Sequence, residues 1–435
     1  MRNLALFTTL VVLSQTAFCS DEWPQFRGPG GQNHSEAKGL PVTWSETENI
    51  KWKTPLPGEA WSSPVVSGNE IWMTNSTDEG KSLRVISVAL DTGKINFDTE
   101  VFHVEKPETK HKLNSFASPS PILENGKLYV FFGTYGMACV STHDGKKVWE
   151  NTDTKHATQN GAGSTPISYK DKLIVCIDGM DVQYQLALNK SDGKVAWKTP
   201  RSIPFKPTTK TDAKKAYGTP LLYQVDGKDQ IVAPAAEAFY AYDPNTGKEL
   251  WRLAHPGFSN VPIPVFANGL LFLDTGFMRA QMWCVKPIAG GGEKLDLPPE
   301  NVLWKLTSQG TMLADVGKPD AKPVTVSIPT RPTPVIVGNR MYMISDTGIL
   351  TSVDTATGHI VWIEKLLKEY SMSPMYADGH IYLFNHIGAA IVFEPGDTFK
   401  KLAENTLEEG CMASPAIVGK ALIVRTKKAL YRIEK

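Results

Sequence analysis

Apolar residues along this chain come in runs of roughly four to eight, broken by glycine, proline, asparagine and aspartate, and no stretch keeps a helical 3.6-residue period. Such runs predict short strands. Stretches like Pro334-Val-Ile-Val-Gly-Asn-Arg-Met-Tyr342 and Pro415-Ala-Ile-Val-Gly-Lys-Ala-Leu-Ile-Val424 set a tight glycine turn between two of them, which predicts a hairpin. A proline preceded by small residues opens each unit: Pro64, Pro121, Pro166, Pro220, Pro264, Pro334, Pro374 and Pro415. Eight units at intervals of about 40 to 70 residues mark a repeat protein.

A second pattern falls between the prolines. Asp243-Pro-Asn-Thr-Gly-Lys-Glu-Leu-Trp251 reads as a tight turn followed by a strand ending in a large aromatic. Asp243 can bond to backbone a residue or two on, and Gly247 can take φ > 0. Variants end at Phe97, Trp149, Trp197 and Trp362. The fourth repeat then holds four strands, at 218–224, 230–234, 238–242 and 248–253. Eight repeats of four short antiparallel strands predict an all-β, eight-bladed β-propeller. The Trp-Asp marker of a WD40 ring is missing.

Taking the aromatic position blade by blade gives Trp52, Phe97, Trp149, Trp197, Trp251, Trp304 and Trp362, with Leu402 in the remaining place. Trp52 precedes the first proline, and the unit from Met412 onward lacks its fourth strand. The N-terminal strand around Trp52 is therefore expected to complete the last blade and close the ring, removing two edges. Trp52, Trp149, Trp197, Trp251, Trp304 and Trp362 are read as structural spacers between blades. Burying one removes around 200 Å² from water, an upper estimate of roughly 5 kcal/mol.

The remaining chain bounds the setting. Residues 1–19 read as a signal peptide: Arg2, an apolar run too short to span a membrane, and a small-residue site at Ala17-Phe-Cys19. Plain secretion is favoured over lipid attachment at Cys19. Residues 20–41 form an N-terminal arm and 42–435 the propeller. A net charge of +1 gives no electrostatic footprint for nucleic acid. Cys139, Cys176, Cys284 and Cys411 lie in different repeats, mostly inside apolar strands, and are expected to be buried free thiols.

Three long connectors, 98–117, 199–217 and 305–331, run from an outer strand to the next inner one and so crowd one rim; 287–301 belongs to the other face. Loops on one rim of a rigid ring are a usual binding surface. Residues just before the strand-opening prolines should ring the channel mouth. Trp61, Asn160, Tyr217, Asn260 and Arg331 are the ligand-binding candidates there, while the serines and threonines are expected to cap backbone groups where strands converge. No catalytic residue is assigned. Gly28-Pro-Gly-Gly31 lacks the context of a phosphate loop, and His103, Glu105, Glu108 and His111 follow no known metal-ligand spacing.

The Asp-x-x-Thr-Gly-Lys-x-x-Trp turn, matched at Asp243–Trp251 and closely at Asp354–Trp362, resembles the pyrroloquinoline-quinone-type (PQQ-like) repeat family from about residue 42 to the C-terminus. Trp23-Pro-Gln-Phe-Arg-Gly-Pro29 is similar to the lead segment of secreted, dehydrogenase-like propellers of that kind. The resemblance implies either of two activities. Quinoprotein alcohol dehydrogenases use PQQ with calcium in the channel and carry vicinal cysteines, which this chain lacks. The propeller lipoprotein of outer-membrane protein assembly is non-catalytic and binds its partner through loops. The expectation is a secreted or periplasmic, monomeric, non-catalytic binding or scaffold propeller with a protein or polysaccharide partner of the cell envelope and no cofactor. The alternative is a PQQ-dependent alcohol or sugar oxidoreductase with a divergent site.

Overall fold

The computed structural model describes residues 22–435; the expected signal peptide, with Cys19, lies outside them. In the fourth repeat the strands are Leu221–Val225, Lys228–Ala235, Ala238–Tyr242 and Glu249–Ala254, hydrogen-bonded in that order in one antiparallel sheet. Their bounds follow the apolar runs. The second and third strands bury both faces, whereas outer strands such as Ile50–Pro55 alternate half-buried and exposed positions. Eight sheets of this kind make the eight-bladed propeller.

The last blade is built from both ends of the chain. Ile50–Pro55 pairs antiparallel with Ala429–Ile433, Ile50 opposite Ile433 and Pro55 opposite Ala429. Within each blade the strands run alternately up and down. The turns between second and third strands and the links to the next blade therefore share one face, here called the rim. The three long connectors emerge there. The first starts later than the sequence pattern sets it, because the outer strand of blade 1 continues to His103 against the long partner Ser82–Ala89. The third carries a small hairpin, Gln309–Gly310 with Val324–Thr325. The insertion at 287–301 opens on the opposite face, between Met282–Val285 and Val302–Leu306.

The repeated indoles reach forward to the next blade. Trp52 Nε1 donates to Leu90 O at 2.9 Å, Trp149 to Lys190 O at 2.9 Å, Trp197 to Pro244 O at 3.2 Å, Trp304 to Thr355 O at 3.0 Å and Trp362 to Gly396 O at 3.0 Å. Most acceptors lie in the neighbouring blade's Asp-x-x-Thr-Gly turn. In that turn Asp243 Oδ1 accepts Asn245 N at 2.7 Å, and Gly247 N donates to Asp243 O at 2.8 Å. Trp251 is the exception. Blade 5 has its insertion where the turn would be, and the Trp251 indole donates to Gln230 Oε1 of its own blade at 3.2 Å.

The N-terminal arm crosses the channel. Trp23 exchanges two 2.8 Å backbone bonds with Val66 of blade 1, and Pro24 O accepts Leu123 N of blade 2 at 2.8 Å. Phe26 packs toward the cluster around Ile263 of blade 5. Arg27 is buried on the far side and donates to Gly31 O, Gln32 O, Thr333 O and Pro334 O. Burial pulls this guanidinium down to about 9, with carbonyl oxygens as its only hydrogen-bond partners among the described residues. His34–Ser35 then joins blade 7 as a fifth, parallel strand beside Met375–Ala377.

Cys139, Cys176, Cys284 and Cys411 are buried free thiols, which burial pushes up to about 11 for Cys139 and about 12 for the others. Among the described residues no helix is long and apolar enough to cross a membrane.

Candidate binding well at the channel mouth

Eight prolines start eight innermost strands, so the residue before each proline recurs at one height around the channel. These residues are Ser63, Ser120, Thr165, Thr219, Ile263, Thr333, Ser373 and Ser414, and all eight line one cavity. They are laced together. Ser63 N donates to Ser120 Oγ at 2.9 Å, Ser120 N to Thr165 Oγ1 at 3.1 Å and Thr165 N to Thr219 Oγ1 at 2.9 Å. The lacing stops where position 263 is isoleucine and resumes with Ile263 N to Thr333 Oγ1 at 2.9 Å, Thr333 N to Ser373 Oγ at 3.0 Å and Ser373 N to Ser414 Oγ at 3.3 Å. Six of the seven hydroxyls, all but Ser63, cap backbone N–H groups where strands converge. Each keeps its own proton: among the described residues none of the seven donates to a protein acceptor.

A second, wider ring sits two residues earlier: Trp61, Ser118, Gly163, Val261, Arg331, Ser371 and Met412. Here the chemistry varies from blade to blade, as expected of the ring that meets a ligand first. Phe26, from the arm, completes the lining. The cavity is thus a well closed by the protein's own N-terminal segment, with an empty volume of about 520 Å³ including the solvent at its mouth.

The well is rich in donors. No carboxylate lines it, and its one charged residue is Arg331. Arg331 Nε donates to Asp346 Oδ1, while Arg331 Nη1 and Trp61 Nε1 are buried and have no protein acceptor. Hydroxyl protons, an indole N–H and a guanidinium N–H suit an oxygen-rich, negatively charged group.

The five sequence candidates part company. Trp61 and Arg331 line the well. Tyr217 takes the equivalent place in its repeat but turns to a neighbouring cavity of about 310 Å³, where its hydroxyl accepts Asn160 Nδ2 at 2.8 Å. Burial pushes that phenol upward. Asn260 is fully buried and lines neither cavity, with Nδ2 donating to Asp274 O at 3.2 Å. On the rim, His103 is exposed and sits 3.6 Å from Glu100 and 3.5 Å from Glu105, and His111 Nδ1 accepts Leu113 N. Among the described residues no three His, Cys, Asp or Glu side chains form a group fit for a metal ion.

One arrangement was not read from the sequence. Ser371 Oγ lies 2.7 Å from His386 Nε2, and His386 Nδ1 lies 3.3 Å from Glu369 Oε2. The three come from the link between blades 6 and 7 and from the turn between the second and third strands of blade 7. Burial pulls His386 below the ordinary imidazole value; Glu369 draws it back up, and the charges of Arg331 and Lys427 push it down. The signal was a spacing. Arg331 meets Asp346 in blade 6 and Ser371 meets His386 in blade 7, both pairs fifteen residues apart.

A model of the family described as "Outer membrane protein assembly factor BamB" matches residues 35–177, 88–224 and 186–434, overlapping placements that span nearly the whole ring. The chain belongs to this PQQ-like repeat family. No curated protein matches it. Among solved structures, a europium-containing methanol dehydrogenase superposes with a TM-score of 0.66 at 11% identity, covering 94% of this chain and 90% of that one. The quinohemoprotein alcohol dehydrogenase of Comamonas testosteroni gives 0.65 at 12%, covering 96% and 81%. BamB of Moraxella catarrhalis gives 0.57 at 11%, covering 88% and 99%. At such identities the likeness is one of fold.

Proposed function

We propose that the protein is a secreted or periplasmic binding module of the cell envelope that works without a redox cofactor. Its rim loops engage an envelope polysaccharide, and the well receives an acidic group carried by that polymer. The observation that carries this reading is the donor-rich, carboxylate-free wall of a well floored by the arm. Nine serine and threonine side chains, Trp61 and Arg331 line it, above Phe26 of the arm. Trp61 also offers an aromatic surface of the kind that packs against apolar faces.

The fold family brings a second ligand into question, PQQ with calcium. A divalent cation needs oxygen ligands with negative charge, and none of the residues lining the well is an Asp or Glu. Asp346, the carboxylate held by the lining residue Arg331, is also engaged by Thr330 N at 2.7 Å. The wall does not fit that pair.

Calorimetry on the purified protein tests the choice. Uronate oligosaccharides should bind saturably, neutral sugars should not, and Arg331→Met should weaken binding at least tenfold. Saturable PQQ binding with calcium, accompanied by dye-linked alcohol oxidation, would overturn the proposal. Capture of an envelope protein, lost when 201–217 is shortened, would replace the polysaccharide by a protein partner.

A further inference from the structure

The wall of the well contains a hydroxyl with a base behind it. We infer that Ser371 is a nucleophile, activated by His386 and oriented through Glu369, that takes an acyl group from small carboxylic esters entering the well. This goes beyond binding and does not depend on it: esters of neutral alcohols would serve as well as those of acidic sugars.

The geometry follows the logic of a nucleophile, a base and an orienting carboxylate. Ser371 Oγ and His386 Nε2 are 2.7 Å apart, within reach for proton transfer. The Glu369 carboxylate at 3.3 Å from Nδ1 favours the tautomer with its proton on Nδ1, leaving Nε2 to accept. Ser371 is half-buried, lines the cavity and, unlike six of the seven hydroxyls below it, caps no backbone group among the described residues.

The base is fixed in place. His386 N donates to Glu369 O at 3.0 Å, and Asn385 Oδ1 accepts Ile387 N at 3.1 Å and Ala389 N at 2.9 Å, tightening the turn that carries the imidazole. Gly410 presses so close that a Cβ there would fall 1.6 Å from His386 O. Such support fixes the imidazole on its turn, as a working site requires, while the Glu369 side chain reaches it from the surface, 71% exposed. Two buried donors without protein partners, Arg331 Nη1 and Trp61 Nε1, belong to residues lining the same well.

The chemistry balances with water as co-reactant. Ser371 Oγ bonds to the ester carbonyl carbon while its proton passes to His386 Nε2. The carbon–alkoxide bond then breaks, and the alcohol leaves with that proton. Water, deprotonated by His386, attacks the acyl-serine; the carbon–Oγ bond breaks and the serine is reprotonated. An ester and water become a carboxylic acid and an alcohol.

A fluorophosphonate probe with peptide mapping by mass spectrometry decides the matter on the full chain. The wild type should be labelled at Ser371, S371A should not be labelled, and H386Q should react at least tenfold more slowly while melting within a few degrees of wild type. The labelling rate should rise with pH about a midpoint below 6.5, the ordinary imidazole value, because burial, Arg331 and Lys427 all disfavour the charged ring. E369Q should move that midpoint lower still, which a purely structural Glu369 would not do. A wild type that labels no faster than S371A, or labels at another residue, overturns the inference. Uronate binding without labelling would leave the binding reading standing, and labelling without uronate binding would do the reverse.

Discussion

Gly247 lies against the indole of Trp197 in the preceding blade: a Cβ built on it would fall 2.5 Å from the ring. Gly93 stands in the same way to Trp52, Gly193 to Trp149 and Gly358 to Trp304. Gly247 also has φ +72°, a conformation that costs an L side chain about 1 kcal/mol. Adding about 1–3 kcal/mol for overpacking, Gly247→Ala should lose roughly 2–4 kcal/mol in denaturant unfolding. Trp197→Ala, which empties the slot, should lose about 3–5 kcal/mol.

Gln230 substitutes for a missing turn. Its Oε1 accepts Trp251 Nε1 at 3.2 Å and Tyr223 OH at 2.6 Å, and its Nε2 donates to Ile288 O at 3.1 Å and Ala289 O at 2.8 Å. The buried amide is fully used. Gln230→Leu should therefore cost at least about 3 kcal/mol, since each orphaned buried group costs about 1–3 kcal/mol. Increased proteolysis within 287–301, which hangs on those two carbonyls, should accompany the loss of stability.

The lacing of the well makes a prediction of its own. Thr165→Val keeps the shape but leaves Ser120 N without its acceptor. It should destabilise the ring by about 1–3 kcal/mol. Ile263, where the lacing is already broken, should tolerate Ile263→Val at about 1 kcal/mol. A Thr165→Val variant that melts with the wild type would show that the lacing contributes nothing.

Two buried titratable groups near Asn260 act in opposite directions with pH. Burial lowers His255 to about 3 from an ordinary 6.5, so protons favour the unfolded chain and stability drains away as pH falls below 6.5. Burial raises Asp274 well above 3.8, so the folded chain keeps a proton that the unfolded one sheds, and stability drains away as pH rises above 3.8. Relative to wild type, His255→Gln should gain stability as pH falls below 6.5, and Asp274→Asn should gain it as pH rises above 3.8. Each slope is bounded by about 1.4 kcal/mol per pH unit. Chemical denaturation at several pH values would show the mirrored slopes or their absence.

The ring was legible in the sequence because each blade repeats the same local chemistry. A proline, a glycine turn and an aromatic are short-range signals, and counting them also exposed the split last blade. What crosses the ring was not legible. Arg27 meets Thr333 O and Pro334 O more than three hundred positions away, and no local pattern announces carbonyl acceptors. The site was half visible for the same reason. Trp61 and Arg331 were marked by their place before a proline, whereas Tyr217 shares that place but turns to Asn160. Ser371 and His386 looked ordinary until two loops of one blade met.

The joint between the chain's two ends also sets a timetable. Tyr431 OH donates to Glu46 Oε1 at 3.0 Å across 385 positions. A chain made N-terminus first must therefore hold 50–55 without its strand partner until 429–433 has been synthesised. Every shorter product carries a bare strand edge, the feature by which aggregation begins and proteases find their targets. Synthesis stalled before Ala429 should thus yield a product without the closing strand pair, digested faster than the full ring.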